Sequence, residues 1–430
     1  MRSVPRIVVV GGGAGGLELV TRLGHTLGKK KRAHITLVDA ELTHVWKPLF
    51  HEVAVGTLDA HNHSLNYISH AQSNHYHFQF GRMVKLNRLK KSITLEAVKN
   101  DAGECWLTER EVNYDYLVMA VGSVANTYNI PGAEEHCAFL DSREESELFH
   151  QNFVHQVIRL RQTQSQEPLC VSIIGGGASG VELAAELRMA LNNMRQSGVI
   201  PHDQPKPVIR ILEAGERILG MLPDRLSKQV QQELDKLDIQ VLAQQRVSRT
   251  DKRAIHTHSG QSLTSHIHMW VAGIKAPDWL STLDGIDTNA RHQIQVKATL
   301  QSVNDDNIFA LGDCAECILN DKPVPARAQS AHQQASHLIG SFRALLKQKT
   351  IKPYRYVDYG SLVNLSGANS QGLIMSGFIR TLSIEGKLAA IMYWGLYQAH
   401  QLSVHGFWRG LRLILLGSLH HSAKPRLKLH

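Results

Sequence analysis

Two glycine-rich stretches with the same pattern constrain the fold of this 430-residue chain more than any other feature of its sequence. RIVVVGGGAGGLELVTRL begins at residue 6, and CVSIIGGGASGVELAAEL begins at residue 170. In each, a β-branched run typical of a strand leads into G-x-G-x-x-G and then into a helical pattern. The motif positions are Gly11, Gly13 and Gly16 in the first stretch, and Gly175, Gly177 and Gly180 in the second. The repeat predicts two Rossmann-like units, each with a pyrophosphate-binding turn at a helix N-terminus.

An acidic residue follows each motif at the end of the next predicted strand. Asp39 ends the stretch HITLVD, and Glu213 ends VIRILE. A carboxylate at this place accepts hydrogen bonds from a ribose 2′-hydroxyl and repels a 2′-phosphate. Glycine-rich turns alone are common, so the acid that follows each motif strengthens the prediction that both units bind dinucleotides.

Three further segments indicate which dinucleotide each unit binds. IFALGD (308–313) places Gly312 and Asp313 after a short strand, and it resembles the second flavin motif of two-dinucleotide-binding flavoproteins, whose aspartate meets the ribitol chain. YDYLVMAVGS (114–123) and IHMWVAGIKAP (267–277) resemble the two connections between the domains of those proteins. The resemblance implies one non-covalent FAD per chain in the first unit and a nicotinamide dinucleotide in the second.

The expected fold is α/β, with two Rossmann-like dinucleotide-binding domains and a C-terminal amphipathic helical module. The predicted boundaries are 1–120 and 286–345 for the two parts of the FAD domain, 121–164 for a connecting segment, 165–285 for the NADH domain and 346–430 for the C-terminal module.

The five cysteines bear on the electron acceptor. They are too few for a disulfide scaffold, which favours a reducing compartment. HVWKPLFHEVAVG (44–56) lies where disulfide reductases carry a redox cysteine pair and contains no cysteine, which disfavours disulfide substrates. Cys314 and Cys317 form a C-x-x-C that fits a redox dithiol, a metal pair or, most simply, small residues packed near a flavin-binding turn. The histidine-rich segment 61–78 is interpreted as a solvated loop with a metal site as the alternative, and no metal is predicted.

A closer resemblance extends from about residue 6 to the end of the chain. The first fingerprint, HVWKPLFHEVA, RAQSAHQQA (327–335) and the basic aromatic C-terminus together resemble type II NADH dehydrogenase, the single-chain NADH:quinone oxidoreductase family, and its enterobacterial-type respiratory members most. The resemblance implies that Asp39 and Asp313 contact FAD and that Glu213 contacts the NADH ribose. It also implies cofactor-binding roles for Ala14, Lys47, Gly122, Gly273 and Ala328.

Three residues are predicted to act in catalysis. AQSAHQ matches the family motif A-Q-x-A-x-Q, which places Gln329 and Gln333 at the quinone head group. On a helix that begins near Pro325 the two residues are i and i+4 and share a face, where neutral amides can donate hydrogen bonds to a quinone carbonyl. Spacing alone favours an ordinary polar helix face, and the family motif reverses that preference. Glu182 matches the family glutamate near nicotinamide and flavin, and it is the candidate for tuning or proton relay.

The C-terminal stretch HGFWRGLRLILLGSLHHSAKPRLKLH (405–430) combines an apolar face with basic residues. After Glu385 the chain has six Lys and Arg residues and no acidic residue, in a protein of net charge +9. At 100° per residue the apolar arc holds Val404, Phe407, Trp408, Leu411, Ile414, Leu415 and Leu419, and Arg409, Arg412 and His420 lie outside it. The pattern predicts an interfacial helix on an anionic lipid surface, and its apolar face argues against nucleic acid. The alternative is packing on the protein core or on a second subunit of a homodimer.

The predicted function follows from these motifs together. No apolar run reaches the roughly 18 residues of a membrane-spanning helix, so we expect a peripheral enzyme at the cytoplasmic face of the inner (plasma) membrane. The expected reaction is electron transfer from NADH through FAD to ubiquinone or menaquinone in the respiratory chain, without proton pumping. Two alternatives remain open, namely another flavin reductase of the sulfide:quinone or ferredoxin type, and an NADH-sensing flavin-bound binding protein.

Overall fold

The computed structural model describes residues 4–100, 102–163, 167–363, 365, 371–376 and 379–385, and the single positions 395, 398, 401, 402, 404, 406 and 410. The described residues form two compact units. The first unit comprises Met1–Trp46, Ser64–Val124 and Lys275–Val357, and the second comprises Lys47–His63, Ala125–Ile274 and Asp358–His430.

The helices of the described residues alternate with the strands, as in an α/β fold. They are α1 (Ala14–Leu23), α2 (Phe50–Val55), α3 (Tyr67–Asn74), α4 (Ala133–His136), α5 (Arg143–Thr163), α6 (Ala178–Gln196), α7 (Asp224–Lys236) and α8 (Ala328–Leu345). Helix α7 shows why these segments fold as helices: Leu226, Val230 and Leu234 repeat every four residues and are all buried, which gives the helix one apolar face.

A five-stranded parallel sheet forms the centre of the first unit. Its order across the sheet is Ile308–Ala310, Tyr116–Met119, Arg6–Val10, His34–Asp39 and His77–Phe80. In the central strand Ile7, Val8 and Val9 are at most 1% exposed. A continuous run of buried β-branched residues is typical of a parallel strand that is covered on both faces. Because the strand leads directly into Gly11, the sheet places the first glycine motif at its carboxyl edge.

A four-stranded parallel sheet forms the centre of the second unit. Its order is Ile239–Leu242, Val208–Leu212, Cys170–Ile174 and Ile267–Trp270. In the central strand Ile174 pairs with Leu212 on one side and Trp270 on the other. The core beside this sheet includes Phe149 and Phe153, whose rings stack at 6.1 Å. The second glycine motif begins directly after Ile174, so it has the same position as the first motif has in its own unit.

Smaller sheets complete each unit. In the first unit they are Met83–Asn87 with Ser92–Leu95 and Arg110–Asn113, Ile294–Val296 with Ala315–Leu319 and Lys322–Pro323, Thr43–His44 with Leu65–Asn66, and Val98–Lys99 with Cys105–Leu107. In the second they are Val247–Asp251 with Ala254–Thr257 and Ser262–Thr264, and Gly360–Val363 with Gln371–Ser376 and Ile379–Glu385. The short strands Val124–Ala125 and Ile274–Lys275 occur where the chain passes from one unit to the other.

The α/β class expected from the sequence is confirmed by these two parallel sheets. The predicted C-terminal module differs in its first part, because Gly360–Val363, Gln371–Ser376 and Ile379–Glu385 form an antiparallel sheet rather than helices. Most of the interfacial helix predicted for the C-terminus lies outside the described residues, including Phe407, Trp408 and every residue from 411 onward. No helix among the described residues is long and apolar enough to cross a membrane.

Candidate functional site

The turn between the strand Arg6–Val10 and α1 contains the first glycine motif. Gly11 has a φ of +101°, and a Cβ atom there would collide with the backbone of Ala120. A Cβ atom at Gly16 would collide with the carbonyl oxygen of Gly11. A Cβ atom at Gly13 would meet no other atom within 4 Å. Packing therefore requires two of the three glycines, and the third leaves open space beside the start of α1, where a pyrophosphate could approach.

The second motif repeats this geometry in its own unit. Gly175 has a φ of +116°, and a Cβ atom there would lie 2.7 Å from the backbone nitrogen of Ala272. A Cβ atom at Gly180 would collide with the carbonyl oxygen of Gly175, whereas one at Gly177 would meet nothing within 4 Å. The same two close approaches and the same open position therefore occur in both units.

The helices that follow the motifs begin without side-chain caps. Gly13 and Gly177 are the N-cap residues of α1 and α6, and neither helix has an acidic residue in its first turn or a side-chain cap hydrogen bond among the described residues. Ala14 is the first residue of α1. Backbone N–H groups at such an end, with the positive end of the helix dipole, suit a phosphate. Both turns therefore fit the pyrophosphate of a dinucleotide.

Asp39 lies at the end of its strand against the first glycine turn. Its carboxylate accepts hydrogen bonds from the backbone N–H groups of Gly12 and Glu41. Burial raises the pKa of Asp39, and these hydrogen bonds oppose that effect. The hydroxyl of Tyr67 donates to the Gly12 carbonyl over 2.8 Å, and burial raises the Tyr67 pKa well above its usual value. Sequence reasoning missed Tyr67, because it lies in the histidine-rich segment far from the motif.

Glu213 has the corresponding position in the second unit. Its two carboxylate oxygens accept hydrogen bonds of 2.7 Å each, from the N–H groups of Gly176 and Gly215. In each unit, therefore, the acidic side chain accepts a hydrogen bond from the backbone of the residue that follows the first glycine of the motif. An acid held there suits contact with an adenosine ribose hydroxyl.

Three side chains of the first unit form hydrogen bonds with the turn at Gly312 and Asp313. Gly312 has a φ of +72°, and its N–H donates to Gln334 over 2.7 Å. The Ser123 hydroxyl donates to the Asp313 carboxylate over 2.9 Å, and Gln293 donates to the Asp313 carbonyl over the same distance. Sequence reasoning predicted Asp313 but missed the other three side chains, because their contacts join distant parts of the chain. Gly122, next to the serine, has a φ of +72°, and a Cβ atom there would meet nothing within 4 Å.

Helix α8 carries the two predicted glutamines near its start, and Ala328 is its first residue. The hydroxyl of Tyr356 donates to the Gln329 side-chain oxygen over 2.9 Å. The Gln333 amide donates to the Val357 carbonyl over 2.7 Å and accepts from the Val357 N–H over 3.0 Å. The segment after α8 therefore fixes the orientation of both amides.

A buried carboxylate connects α1 and α8. Glu18 is 1% exposed and pairs with Arg22 at 2.9 Å and with Nδ1 of His332. Its hydrogen bond raises the pKa of His332, while partial burial of the ring opposes the rise. Ser336 also donates to this carboxylate, over 3.4 Å. Sequence reasoning did not single out this pair, although His332 is inside the glutamine motif.

Glu182 and Glu186 lie one turn apart on α6 and are 7% and 9% exposed. Helix α2 packs beside α6. The Thr57 hydroxyl, just after α2, lies 3.4 Å from the Glu186 carboxylate and 3.2 Å from the Glu52 carbonyl. Burial raises the pKa of Glu52 to about 8, with a further contribution from the charge of Glu186. A carboxyl group in the surroundings of Glu52 can hold a proton near neutral pH.

Two other predicted cofactor ligands lie in the second unit. Lys47 pairs with Asp141 at 3.0 Å, and the other Asp141 oxygen accepts from the Ala125 N–H over 2.6 Å. Gly273 has a φ of +74°, and a Cβ atom there would collide with the Tyr128 hydroxyl. Lys47 was expected within the FAD domain, and the structure groups it with the second unit.

The C-x-x-C pair is buried in the first unit. Cys314 is 0% exposed and Cys317 is 2% exposed, and burial raises the pKa of each thiol to about 11. The Cys314 thiol lies 3.2 Å from the Leu311 carbonyl, and neither cysteine forms a disulfide. Because the thiolate is the reactive form of cysteine, these surroundings favour the packing interpretation over the redox or metal alternatives.

The histidine-rich segment is folded rather than a loop over part of its length. It includes α3, where His70 contacts the Tyr76 hydroxyl over 2.9 Å. His61 lies 3.1 Å from a guanidinium nitrogen of Arg143. Across the portion of the chain that the structure describes, no three His, Cys, Asp or Glu side chains are grouped so as to hold a metal ion.

Comparisons with known proteins agree with this geometry. The model of the family described as pyridine nucleotide-disulphide oxidoreductase matches residues 5–335. The type II NADH:quinone oxidoreductase of Haemophilus influenzae is 36% identical over 441 residues, which cover 99% of this chain and 99% of the relative.

Two solved structures show the same fold at lower identity. NDH2 from Plasmodium falciparum in complex with NADH has a TM-score of 0.82 at 18% identity, over 99% of this chain and 100% of that one. The sulfide:quinone oxidoreductase of Aquifex aeolicus has a TM-score of 0.74 at 15% identity, over 96% of this chain and 95% of that one.

Proposed function

This chain belongs to the pyridine nucleotide-disulphide oxidoreductases and, among them, to the type II NADH:quinone oxidoreductases, and from this premise we propose how its residues act. The chain is a flavin-dependent enzyme that uses FAD as its cofactor and transfers electrons from NADH to a quinone. Bound flavin supplies the redox chemistry, because it accepts a hydride from NADH and passes two electrons to quinone. The protein supplies binding, orientation and proton management.

The first unit is proposed to hold FAD. Gly11, Gly13, Ala14 and Gly16 form the pyrophosphate site at the start of α1, and Asp39 accepts hydrogen bonds from the adenosine ribose. On the flavin side of this unit we assign Gly122, Asp313 and Ala328, and Lys47, which belongs to the second unit, is assigned a cofactor-binding role only. The open space at Gly13, the uncapped helix end and the fixed carboxylate of Asp39 support this assignment.

The second unit is proposed to hold NADH. Gly175, Gly177 and Gly180 give its pyrophosphate the same approach to α6, and Glu213 accepts from the ribose 2′-hydroxyl. Gly273 is assigned to the nicotinamide side. A fixed carboxylate at Glu213 favours NADH over NADPH, because a 2′-phosphate would meet a negative charge.

Quinone is proposed to bind at the start of α8. Gln329 and Gln333 orient its head group through hydrogen bonds, and the contacts with Tyr356 and Val357 keep both amides in place beforehand. Glu182, buried on α6, is assigned to tuning or to proton relay. Because the amides of Gln329 and Gln333 are already oriented, they avoid the cost of reorienting during the reaction.

Attachment to a membrane is proposed through the C-terminal residues 386–430, whose basic charge and apolar arc suit an anionic lipid surface. We place the enzyme at the cytoplasmic face of the inner membrane, without proton pumping, and keep a homodimer as the alternative use of the same apolar face. A shortened chain that lacks residues 386–430 should no longer sediment with anionic vesicles, and NADH should still reduce its flavin. Undiminished sedimentation of this shortened chain would disprove the anchor.

The hydrogen bond from a glycine N–H to an acidic side chain, which occurs at both Asp39 and Glu213, is the observation that supports this proposal, because two such turns in one chain suit two dinucleotides. The test is steady-state reduction of a short-chain ubiquinone analogue by purified protein with NADH, NADPH or sulfide as donor. We expect fast reduction with NADH, slower reduction with NADPH and none with sulfide. Reduction with sulfide in the absence of NADH would instead support a sulfide:quinone reductase.

A further inference from the structure

The pair formed by Glu18 and His332 gives the glutamine motif an ionisable group with a defined partner. The Glu18 carboxylate is almost fully buried, and such a charge must be compensated by hydrogen bonds and opposite charges. Arg22, Ser336 and His332 provide them. Because the arginine is already present, the histidine is not needed merely to balance one negative charge.

The His332 ring is connected to solvent as well as to the buried carboxylate. Its side chain is 52% exposed, while Nδ1 is bonded to Glu18. The hydrogen bond to the Glu18 carboxylate raises the pKa of His332, and the charge of Arg22 opposes the rise. The turn that carries Asp313 also packs against α8, and the carboxylate of Asp313 accepts a hydrogen bond from Ser123. A half-exposed imidazolium of this kind can release a proton and recover one from water.

The position of His332 on α8 relates it to the proposed quinone site. It is three residues after Gln329 and directly precedes Gln333. Residues at i and i+3 are neighbours on a helix surface. The ring therefore belongs to the same end of α8 as the amide of Gln329, which Tyr356 holds in place.

We propose that His332, held by Glu18, donates one of the two protons that convert the quinone into a quinol. The inference rests on the proposed function. Two electrons and one proton come with the hydride of NADH through the flavin, an O–H bond forms on one quinone oxygen as the Nε2–H bond of His332 breaks, and the proton that came with the hydride completes the second O–H bond. The neutral imidazole then regains its proton from solvent. Glu18 is the positioning residue, which orients the ring and favours its charged form.

The experiment follows the two half-reactions of full-length protein by rapid mixing across a pH series. NADH first bleaches the flavin, and a short-chain ubiquinone analogue then restores its absorbance. We expect the substitution His332→Gln to slow restoration about 10²-fold and to leave bleaching unchanged. Glu18→Gln should move the alkaline fall in restoration rate about one pH unit lower, because it removes the charge that favours the imidazolium. His337→Gln, a half-buried histidine on the same helix, is the matched control and should leave the pH profile in place.

Several results would overturn the inference. If quinone restores the flavin absorbance of the His332→Gln variant at the original rate, or if that rate still falls at the original alkaline pH, the ring donates no proton. If that variant loses FAD, the Glu18→Gln pH profile decides, and an unshifted profile overturns the inference. Added imidazole should partly restore the rate in His332→Ala, which a purely structural role does not predict. If quinone fails to restore the absorbance of the unaltered protein, the proposed function itself fails together with this inference.

Discussion

The carboxylate of Glu213 accepts a 2.7 Å hydrogen bond from the backbone N–H of Gly176, within the glycine turn where we propose that a dinucleotide pyrophosphate binds. Asp39 makes the same contact with Gly12 in the first unit. The carboxylate therefore acts in two ways, because it fixes the glycine turn and presents a negative charge beside the expected ribose. A substitution at this position should change both the turn and the choice of nucleotide.

Nucleotide preference should depend on Glu213. Glu213→Ala removes charge-assisted hydrogen bonds worth about 1.5–3 kcal/mol each, so kcat/KM for NADH should fall by roughly ten- to a hundredfold and the NADPH-to-NADH ratio should rise. The measurement is kcat/KM with both nucleotides. Glu216→Ala, at an exposed position nearby, is the control for loss of one negative charge. An unchanged ratio in Glu213→Ala would show that the second unit does not select the nucleotide through this residue.

The open positions of the two motifs allow each unit to be tested separately. A Cβ atom at Gly13 or Gly177 meets no other atom within 4 Å, and Gly13→Asp and Gly177→Asp each place a negative charge where a pyrophosphate is expected. Like charges in contact cost several kcal/mol, so Gly13→Asp should yield protein with little FAD. Gly177→Asp should keep its FAD absorbance and need about a hundredfold more NADH for bleaching. The alanine variants at the same positions add a methyl group without a charge and so separate steric hindrance from repulsion. Normal FAD content in Gly13→Asp, or an unchanged NADH requirement in Gly177→Asp, would contradict the assignment.

Stability should fall as pH rises because of Glu52. Burial raises the pKa of this carboxyl from 4.5 to about 8, so the folded protein keeps a proton that the unfolded chain releases. The stabilising contribution is complete below about pH 4.5, and it is lost progressively up to about pH 8, by at most about 1.4 kcal/mol per pH unit. Glu52→Gln should flatten the decline of the thermal unfolding midpoint between about pH 5 and pH 8, whereas Glu216→Gln should not. A decline of the same slope in Glu52→Gln would show that this carboxyl ionises normally.

The cysteines should differ sharply in reactivity. Cys105 is exposed, whereas Cys137, Cys170, Cys314 and Cys317 are buried and burial raises the pKa of each of these four thiols. Ellman's reagent at about pH 8 should therefore modify a single thiol of the folded protein rapidly, since the thiolate is the reacting form, and all five after denaturation. Cys105→Ser should abolish the rapid phase. Rapid modification of the Cys314 or Cys317 thiol would instead support the redox interpretation of the C-x-x-C.

The local parts of the sites could be predicted from the sequence because they depend on short segments. Gly11, Gly16 and Asp39 are specified by a turn, a close helix approach and the end of the next strand, and each is recognisable within about forty residues. Tyr67 and Gln334 were not predicted, because their roles arise from hydrogen bonds to Gly12 and Gly312 that only the folded chain creates.

The parts of the fold that could not be predicted lack a local signal. The segment Lys47–His63 belongs to the second unit, although in the sequence it comes after His34–Asp39, a strand of the first unit's central sheet. The sheet formed by Gly360–Val363, Gln371–Ser376 and Ile379–Glu385 is made of short strands with many small and polar residues, which carry little periodicity. Tertiary packing decides such segments, and the sequence pattern alone does not.

The most direct test of electron transfer from NADH through flavin to quinone is an anaerobic titration of the full-length, detergent-solubilised protein. One equivalent of NADH should bleach the flavin absorbance fully, and one equivalent of a short-chain ubiquinone analogue should then restore it within the turnover time. Bleaching without restoration would contradict the account, because it would leave a flavin reductase for which quinone is not the acceptor.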